Sequence, residues 1–457
     1  MKFDMLIKNG KVVIPKLGIK KTNIAISMGK IAALLKPGLS VTANNVLDAK
    51  GKYVLPGLIE PHSHFGLGDG DKDYYTETKS AAVGGVTTVL NYLNDSGVYD
   101  ERTFKRVVEN GEKQAFVDFS IHFCITSREQ LNKLDKYIYQ YGISSFKFFM
   151  NFRGEEGRHL GIRAIDDGFL FACFSALGKY QGSLACVHAE NIEIGWVLRE
   201  KLIKLGRTDL RAWEEHKPDY VEAEAVRRAI YLAEVANCPI YIVHVSSKKG
   251  LAEIREYRNS RYKRIYAETA THYLSMTSDS DLGVIGKVSP PLRYREDMEG
   301  LWQGIADGTI DTIGTDHVPR KKVTKTGTVW EASAGFPGIG TLLPFLLSEG
   351  VNKRGIKIER IAELTSYNVG KIFHLHPRKG TIEIGSDADL TVVDLDLEKE
   401  VKWKDLYSHS DYTLYEGWRL KGWPVLTIVR GKVIAEHGKI KGKPGYGRFV
   451  PRFEQHI

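Results

Sequence analysis

The stretch VLPGLIEPHSH, residues 54–64, runs from an apolar segment directly into two histidines, His62 and His64. A short apolar run with such a polar boundary predicts a buried β-strand. The two histidines are separated by one residue, so both can face the same side if the backbone bends after the strand. Two histidines at this spacing are a weak sign of a metal site alone, but their place at the end of a buried strand strengthens it.

Seven further apolar segments follow along the chain, and amphipathic stretches such as residues 223–235 lie between them. Alternation of apolar strands with helical stretches predicts a parallel sheet covered by helices. Eight such units predict an α/β fold of the (β/α)8 type, a TIM-like barrel, with a doubly wound open sheet as the alternative. The eight predicted strands are residues 58–62, 87–92, 117–124, 145–149, 184–188, 240–245, 265–268 and 312–315.

The two ends of the chain share a different pattern, in which short strand-like segments are separated by turn residues. Residues 3–7 and 11–14 flank Asn9-Gly10, which is a strong hairpin signal. The final part of the chain repeats this style, and chain termini often lie close together in a fold. We therefore predict two domains: a β-sandwich domain and C-terminal tail from residues 1–54 plus 380–457, and a barrel from residues 55–379.

Composition excludes several classes of protein. The formal net charge of +9 comes from 65 Lys and Arg against 56 Asp and Glu, dispersed along the chain rather than gathered into a nucleic-acid groove. The four cysteines are widely spaced, which excludes a disulfide framework and a thiolate zinc site. No apolar run reaches the length of a membrane helix or of a signal peptide, so we expect a cytoplasmic protein without membrane or nucleic-acid partners.

Reactive side chains follow several of the predicted strands. Lys147 lies inside SFKFFM, residues 145–150, while His188, His244 and Asp316 each end or follow a strand. Alone, the histidines suit hydrogen-bonded core residues and Asp316 suits a helix N-cap. Active sites of barrels lie at the C-terminal ends of the strands, however, and a buried lysine must extend to water or become neutral. A neutral lysine can react with carbon dioxide to form an anionic carbamate that bridges two cations, so the joint pattern predicts a metal centre.

At this point the chain resembles the amidohydrolase superfamily and, within it, the cyclic amidohydrolases. It looks most like the dihydropyrimidinase and hydantoinase branch, and the resemblance covers essentially the whole chain. The motifs that carry it are LPGLIEPHSH at 55–64, SFKFFM at 145–150, HAEN at 188–191, HVSS at 244–247, VSPPLR at 288–293 and GTDH at 314–317.

The resemblance implies a site with two divalent metal ions, with zinc the expected metal and manganese or others possible. His62, His64 and Asp316 would bind the more buried ion, and His188 and His244 the other. Lys147, carboxylated by carbon dioxide, would bridge both.

The resemblance also gives Asp316 a catalytic role, in which it takes a proton from the attacking water and passes it to the leaving ring nitrogen. It implies a homo-oligomer, a dimer or a tetramer. The implied activity is hydrolysis of the cyclic amide bond of a dihydropyrimidine, a hydantoin or a related cyclic ureide or imide.

The expected substrate contacts are Phe152, Ser289 and Ala334, and the first departs from the branch. Phe152 stands where the branch usually has a tyrosine that donates to the developing oxyanion. Loss of such a donor costs about 10²–10³ in rate, so either Asn151 or Arg153 substitutes or the substrate differs. Ser289 and Ala334 would recognise the ring through backbone groups.

Three alternatives remain at this stage. Dihydroorotase is favoured by His272, but FGLG at residues 65–68 lacks the arginine that would bind a substrate carboxylate. Allantoinase is the second. A catalytically silent scaffold is the third, although such relatives typically lose metal ligands and this chain keeps all six.

Overall fold

The structure is a computed structural model that describes residues 2–93, 97–153, 165–260 and 262–452. Two compact units make up the chain. Unit one comprises Met1–Leu90, Val107–Ser120 and Pro337–Val450; unit two comprises Asn91–Arg106, Ile121–Phe336 and Pro451–Ile457.

Eight strands form one sheet in which they follow one another in the order of the chain. They are β8 (Leu58–Ser63), β9 (Val86–Leu93), β10 (Asp118–Cys124), β11 (Ser145–Phe149), β12 (Leu184–His188), β13 (Ile240–Ile242), β14 (Ile265–Ala270) and β15 (Thr312–Gly314). Neighbours from β10 to β15 pair in parallel. A doubly wound sheet would reverse its strand order at a switch point, so the predicted (β/α)8 barrel is confirmed, and each predicted strand lies within a few residues of its place.

The strands of this sheet are almost continuously buried, because helices cover a parallel sheet and leave no face to water. The helix Asp219–Val235 shows how the sequence specifies these covers. It begins after Pro218 with acidic residues in its first turn, which favour the positive end of the helix dipole. Val221, Ala225 and Ala229 recur at helical spacing and are fully buried.

The remaining helices connect the strands or pack beside them. In the part of the chain that the structure describes, the other α-helices are Asp73–Val83, Glu101–Gln114, Arg128–Leu131, Asp167–Leu177, Ile192–Lys204, Leu210–Glu215, Lys248–Ser260, Arg295–Asp307, Leu342–Phe345, Ile358–Ala362 and Asn368–Ile372. The 3-10 and π turns are Gly70–Lys72, Lys136–Gln140, Thr271–Leu274, Gly283–Gly286, Lys322–Thr324, Ile339–Thr341, Leu346–Lys353, Glu363–Tyr367 and Trp403–Leu406. Within the described ranges, no helix combines the length and apolarity needed to cross a bilayer.

Two further sheets lie in unit one and combine strands from both ends of the chain. Their strands are β1 (Lys2–Lys8), β2 (Lys11–Ile14), β3 (Gly18–Lys21), β4 (Asn23–Ser27), β5 (Lys30–Leu35), β6 (Thr42–Asp48), β7 (Tyr53–Pro56), β16 (Leu390–Glu400), β17 (Arg419–Val429), β18 (Lys432–Glu436) and β19 (Lys439–Ile440). A four-stranded sheet has the order β5-β4-β1-β6, and a seven-stranded sheet has the order β19-β18-β17-β16-β7-β2-β3.

Strand β7 joins the two termini, since it pairs antiparallel with β16 and parallel with β2. One buried cluster fills this part of unit one with residues from both ends, including Ile7, Val54 and Leu390. The expected β domain from both termini is therefore present. Its boundaries at residues 54 and 380 stay a prediction.

A buried group of charges ties distant segments of unit one together. The Lys379 Nζ lies 2.5 Å from an Asp389 carboxylate oxygen, 2.7 Å from Asp118 and 3.3 Å from Asp387. Arg430 donates a second charged hydrogen bond to Asp118. These three carboxylates have the proximity of a cation site, but the lysine ammonium already binds them, so we assign the cluster to folding rather than to a metal.

Candidate metal centre

In unit one, His62 lies near the end of strand β8 and His64 directly follows it. The backbone N–H of His62 donates to Glu60 Oε1 at 2.9 Å, and both residues are fully buried. His64 is half-buried, and the centroids of the two imidazole rings lie 5.2 Å apart. The Glu60 carboxylate therefore fixes the backbone from which both rings project.

In unit two, Lys147 occupies the middle of β11 with 1% of its surface exposed. Its ammonium lies 4.6 Å from the ring centroid of Tyr92 and 5.2 Å from that of Phe149. Across the described residues we find no hydrogen bond or ion pair to this ammonium. Burial lowers the pKa of Lys147, although the negative charges of Asp316 and Glu268 oppose the shift. This environment favours the neutral amine, which is the form that reacts with carbon dioxide.

In unit two, His188 is the last residue of β12 and His244 lies two residues after the end of β13, with their ring centroids 4.4 Å apart. The Nε2 of His188 donates to Glu190 Oε2 at 2.6 Å. Burial lowers the pKa of His188 to about 4, against the opposing effect of Glu190. A neutral imidazole that donates through Nε2 presents the lone pair of Nδ1, as a metal ligand must.

Glu190 is held in its charged form by a second buried group. Burial would raise the pKa of this carboxyl, but Lys217 and His188 outweigh that effect and hold the pKa well below its usual range. The Lys217 Nζ lies 3.3 Å from Glu190 Oε2 and 3.5 Å from Ser289 Oγ. A continuous polar chain thus runs from His188 through Glu190 and Lys217 to Ser289.

The backbone is strained where two of the expected ligands leave their strands. His244 has φ of +41° and Asp316 has φ of +48°, a region that residues other than glycine rarely adopt. The N–H of His244 donates to Glu268 Oε1 at 3.1 Å, and Tyr241 donates to the other oxygen of Glu268 at 2.7 Å. Such strain concentrates at functional sites, where surrounding contacts maintain it.

Hydrogen bonds to one backbone carbonyl connect the two loops that carry Ser289 and Ala334. The oxygen of Lys287 accepts from the Gly335 N–H at 3.0 Å and from the Lys325 ammonium at 3.0 Å. Ser289 lies two residues after this carbonyl and Ala334 directly precedes Gly335, and both are half-buried. The structure therefore brings the Ser289 and Ala334 loops together.

The aromatic substitution after β11 lies beside a predicted ligand. The centroid of the Phe152 ring lies 5.1 Å from that of Phe149 and 6.0 Å from that of His188. Arg153 donates to the Ile165 carbonyl at 3.1 Å and to Glu193 at 2.7 Å. Phe152 thus offers only an apolar ring beside His188. The Arg153 guanidinium is already bound to Ile165 and Glu193.

Comparison with known proteins places this geometry in a family. The sequence profile described as "Amidohydrolase family" matches residues 53–434. The chain belongs to the amidohydrolase family. An L-hydantoinase of Paenarthrobacter aurescens is 33% identical over 460 residues, covering 98% of this chain and 98% of that protein. A D-hydantoinase of Ralstonia pickettii is 34% identical over 471 residues, covering 98% and 99%.

Solved structures agree with the sequence relatives. A crystal structure of a D-hydantoinase superimposes on this amidohydrolase with a TM-score of 0.90 and 31% identity, covering 99% of this chain and 100% of that one. The resemblance to the hydantoinase branch is therefore confirmed at the level of family and fold.

The donor set of this amidohydrolase fits divalent metal ions. Imidazole nitrogen and carboxylate oxygen are ligands that zinc and manganese accept, and the neutral, carboxylate-supported His188 has the form a ligand requires. The buried Lys147, whose pKa burial lowers, has the form that carbamate formation requires.

Sequence reasoning missed the supporting residues. Glu60 lies two residues before His62, and Glu190 lies two residues after His188. A carboxylate within an otherwise apolar segment was the sequence signal that could have identified them. Lys217 and Glu268 carry no comparable local signal, because they meet the site only through the fold.

Proposed function

We propose that this amidohydrolase uses two divalent metal ions to open the cyclic amide bond of a dihydropyrimidine, a hydantoin or a related cyclic ureide or imide. The observation that carries the proposal is Lys147, a buried lysine without an ionic partner among the described residues of the barrel. Full-length similarity to proteins named hydantoinase supports the substrate class.

The proposed metal ligands form two sets. His62 and His64 would hold one ion together with Asp316. His188 and His244 would hold the other, and Lys147, as a carbamate, would help to hold both. When bound, two such ions lower the pKa of bound water to near neutrality and polarise the ring carbonyl. Zinc suits this mixture of nitrogen and oxygen donors best, and manganese is the alternative.

The protein's own residues would bind the ring and move one proton. Asp316 accepts a proton from the attacking water and delivers it to the ring nitrogen, which otherwise leaves poorly as an anion. The packed rings of Phe149 and Phe152 would exclude water from one side of the bound ring. The backbone at Ser289 and Ala334 orients the ring. Hydrogen bonds to the Lys287 carbonyl hold the two loops together.

The test is ring opening by the purified protein with divalent metal and bicarbonate present. The panel contains dihydrouracil, hydantoin, a substituted hydantoin, allantoin, dihydroorotate and a simple cyclic imide. Turnover of dihydrouracil or a hydantoin supports the proposal. Turnover of dihydroorotate or allantoin alone assigns one of the two alternative activities instead.

Metal content separates the enzyme from the silent scaffold. We expect two equivalents of divalent metal per chain by elemental analysis. A protein that opens no ring and purifies without stoichiometric metal would be a scaffold. A homo-oligomer, dimer or tetramer, stays a prediction that light scattering after size-exclusion chromatography would check.

A further inference from the structure

Lys217 is a buried lysine that contacts the carboxylate beside an expected metal ligand. Its side chain is 1% exposed, and its Nζ lies 3.3 Å from Glu190 Oε2. The same oxygen of Glu190 accepts the 2.6 Å hydrogen bond from His188 Nε2. A buried ammonium is costly unless it is paired, and Glu190 is the carboxylate that pairs with this one. Lys217, Glu190 and His188 therefore form one connected group inside unit two.

The orientation of the His188 ring depends on the position of one carboxylate oxygen. A carboxylate that binds a ligating imidazole sets the rotation of the ring and the nitrogen that carries the proton. With Nε2 donating to Glu190, the Nδ1 of His188 is the nitrogen that can bind a metal. Lys217 binds the same Oε2 atom, so it fixes the acceptor to which the imidazole is aligned.

The segment that carries Lys217 also contacts the loop after the second expected ligand. Glu222 lies five residues further along the chain and is buried. Its carboxylate accepts from the backbone N–H groups of Ser246 and Ser247, each at 2.8 Å. These serines lie two and three residues after His244. The supports of both expected ligands thus lie on one short segment of unit two.

We propose that Lys217 is a positioning residue for the metal ion held by His188 and His244, and that it acts through Glu190. This inference rests on the proposed function, in which these histidines are metal ligands. Lys217 holds the Glu190 carboxylate, and Glu190 holds the His188 imidazole with Nδ1 available to the ion. The ligand is then oriented before binding, which reduces the ordering cost. Loss of such a supporting contact typically weakens metal affinity by about 10–100-fold.

The test is zinc binding to metal-free protein, measured by competition with a chromophoric chelator in the presence of bicarbonate. In Lys217→Met we expect the affinity for one of the two equivalents to fall by about 10–100-fold, while the other changes little. Raising the free zinc concentration should then restore ring opening, because the weakened site fills by mass action. Wild-type affinity for both equivalents in Lys217→Met overturns the inference.

A double variant separates positioning from folding. Lys217→Met leaves a buried carboxylate without its cation, which also destabilises the fold. Combining Lys217→Met with Glu190→Gln removes both charges of the pair together. Because Lys217 acts through Glu190, the double variant should bind zinc no more weakly than Glu190→Gln alone. Losses of affinity that add up in the double variant overturn the inference.

Lys379→Met and Ser289→Ala are the matched controls, and both should bind zinc as the wild type does. Lys379 is an equally buried lysine bound to carboxylates in unit one. Ser289→Ala removes the hydroxyl that lies 3.5 Å from Lys217 Nζ and leaves Glu190 in place. A loss of zinc affinity in Lys379→Met equal to that in Lys217→Met overturns the inference. A wild-type protein that binds neither zinc nor manganese overturns the proposed function itself.

Discussion

At the scale of single residues, burial changes the chemistry of the side chains that matter most. The low-dielectric interior that lowers the pKa of Lys147 also makes an unreacted ammonium costly at that position. Conversion to a carbamate would replace this unpaired cation by an anion that two cations can satisfy. The physical case for the modification is thus the absence of any ionic partner for Lys147 among the described residues.

Lys147→Ala should abolish ring opening, because it removes the proposed bridge between the metal ions. A short carboxylic acid added to this variant should restore part of the activity by occupying the place of the carbamate. Lys147→Arg, which keeps the charge but cannot form a carbamate, is the matched control and should not respond to the acid. The measurement is kcat/KM with metal content in each case, and full activity in Lys147→Ala would falsify the two-metal proposal.

Asp316→Asn should retain the fold but lose turnover, because an amide cannot accept the proton of the attacking water. Proton transfer of this kind contributes typically about 10²–10⁴ in rate, which sets the expected fall in kcat. The exposed Asp281→Asn is the control and should behave as wild type. Steady-state kinetics beside a thermal melt checks both variants, and an unchanged kcat in Asp316→Asn removes the proton-transfer role.

At the scale of elements, several ends of barrel strands carry an expected ligand and a carboxylate that hydrogen-bonds to it. Glu60 holds the backbone N–H of His62, and Glu268 holds that of His244. Glu190 instead binds the ring of His188 and is itself held by Lys217. These carboxylates orient the expected ligands before any metal binds, which reduces the ordering cost of binding.

The His188 end of β12 should make the metal-free protein sensitive to acid. Its folded pKa of about 4 lies below the ordinary value near 6.5, so the unfolded chain binds the proton more readily. The stability this group contributes is present above about pH 6.5 and is lost as pH falls through about 4. Denaturant unfolding of metal-free protein across this range, compared with His188→Asn, should show a shallower pH dependence in the variant. Identical slopes would contradict the assignment.

At the scale of the whole molecule, one buried lysine holds together segments that are far apart in the chain. Lys379 binds Asp118, which begins β10, as well as Asp387 and Asp389 before β16. The three carboxylates and the ammonium satisfy one another in the interior of unit one. Arg430 also pairs with Asp118, and Lys30 and Arg378 pair with Asp387. Removing Lys379 would take the ion-pair partner from Asp389 and leave three buried carboxylates facing one another.

Lys379→Met should therefore lower the free energy of unfolding by about 3–5 kcal/mol, the range for breaking a buried ion pair. The exposed pair of Lys204 and Glu200, 2.6 Å apart, provides the control. Lys204→Met should leave stability close to that of the wild type, because solvent screens an exposed pair. Thermal and denaturant unfolding measure both variants, and equal effects would show that the buried cluster is not a stabilising contact.

Much of the site could be predicted from particular residues. The histidines at 62, 64, 188 and 244 each follow an apolar strand, and this local pattern placed them at strand ends, as the fold confirms. Their ligand roles stay predictions. Asn151 and Arg153 could not be distinguished as donors from the sequence, because both are polar residues next to Phe152. The structure shows only that the Arg153 guanidinium donates to the Ile165 carbonyl and that the Asn151 side chain is buried.

The amino-acid sequence by itself determined the order of the strands and helices, the barrel class and the family, because apolar periodicity and motif spacing are local properties of the chain. Only the tertiary structure decided which carboxylate supports each expected ligand and that Lys217 connects Glu190 to Ser289. The physical reason is that hydrogen bonds and burial depend on residues distant in the chain, whose meeting no local pattern records.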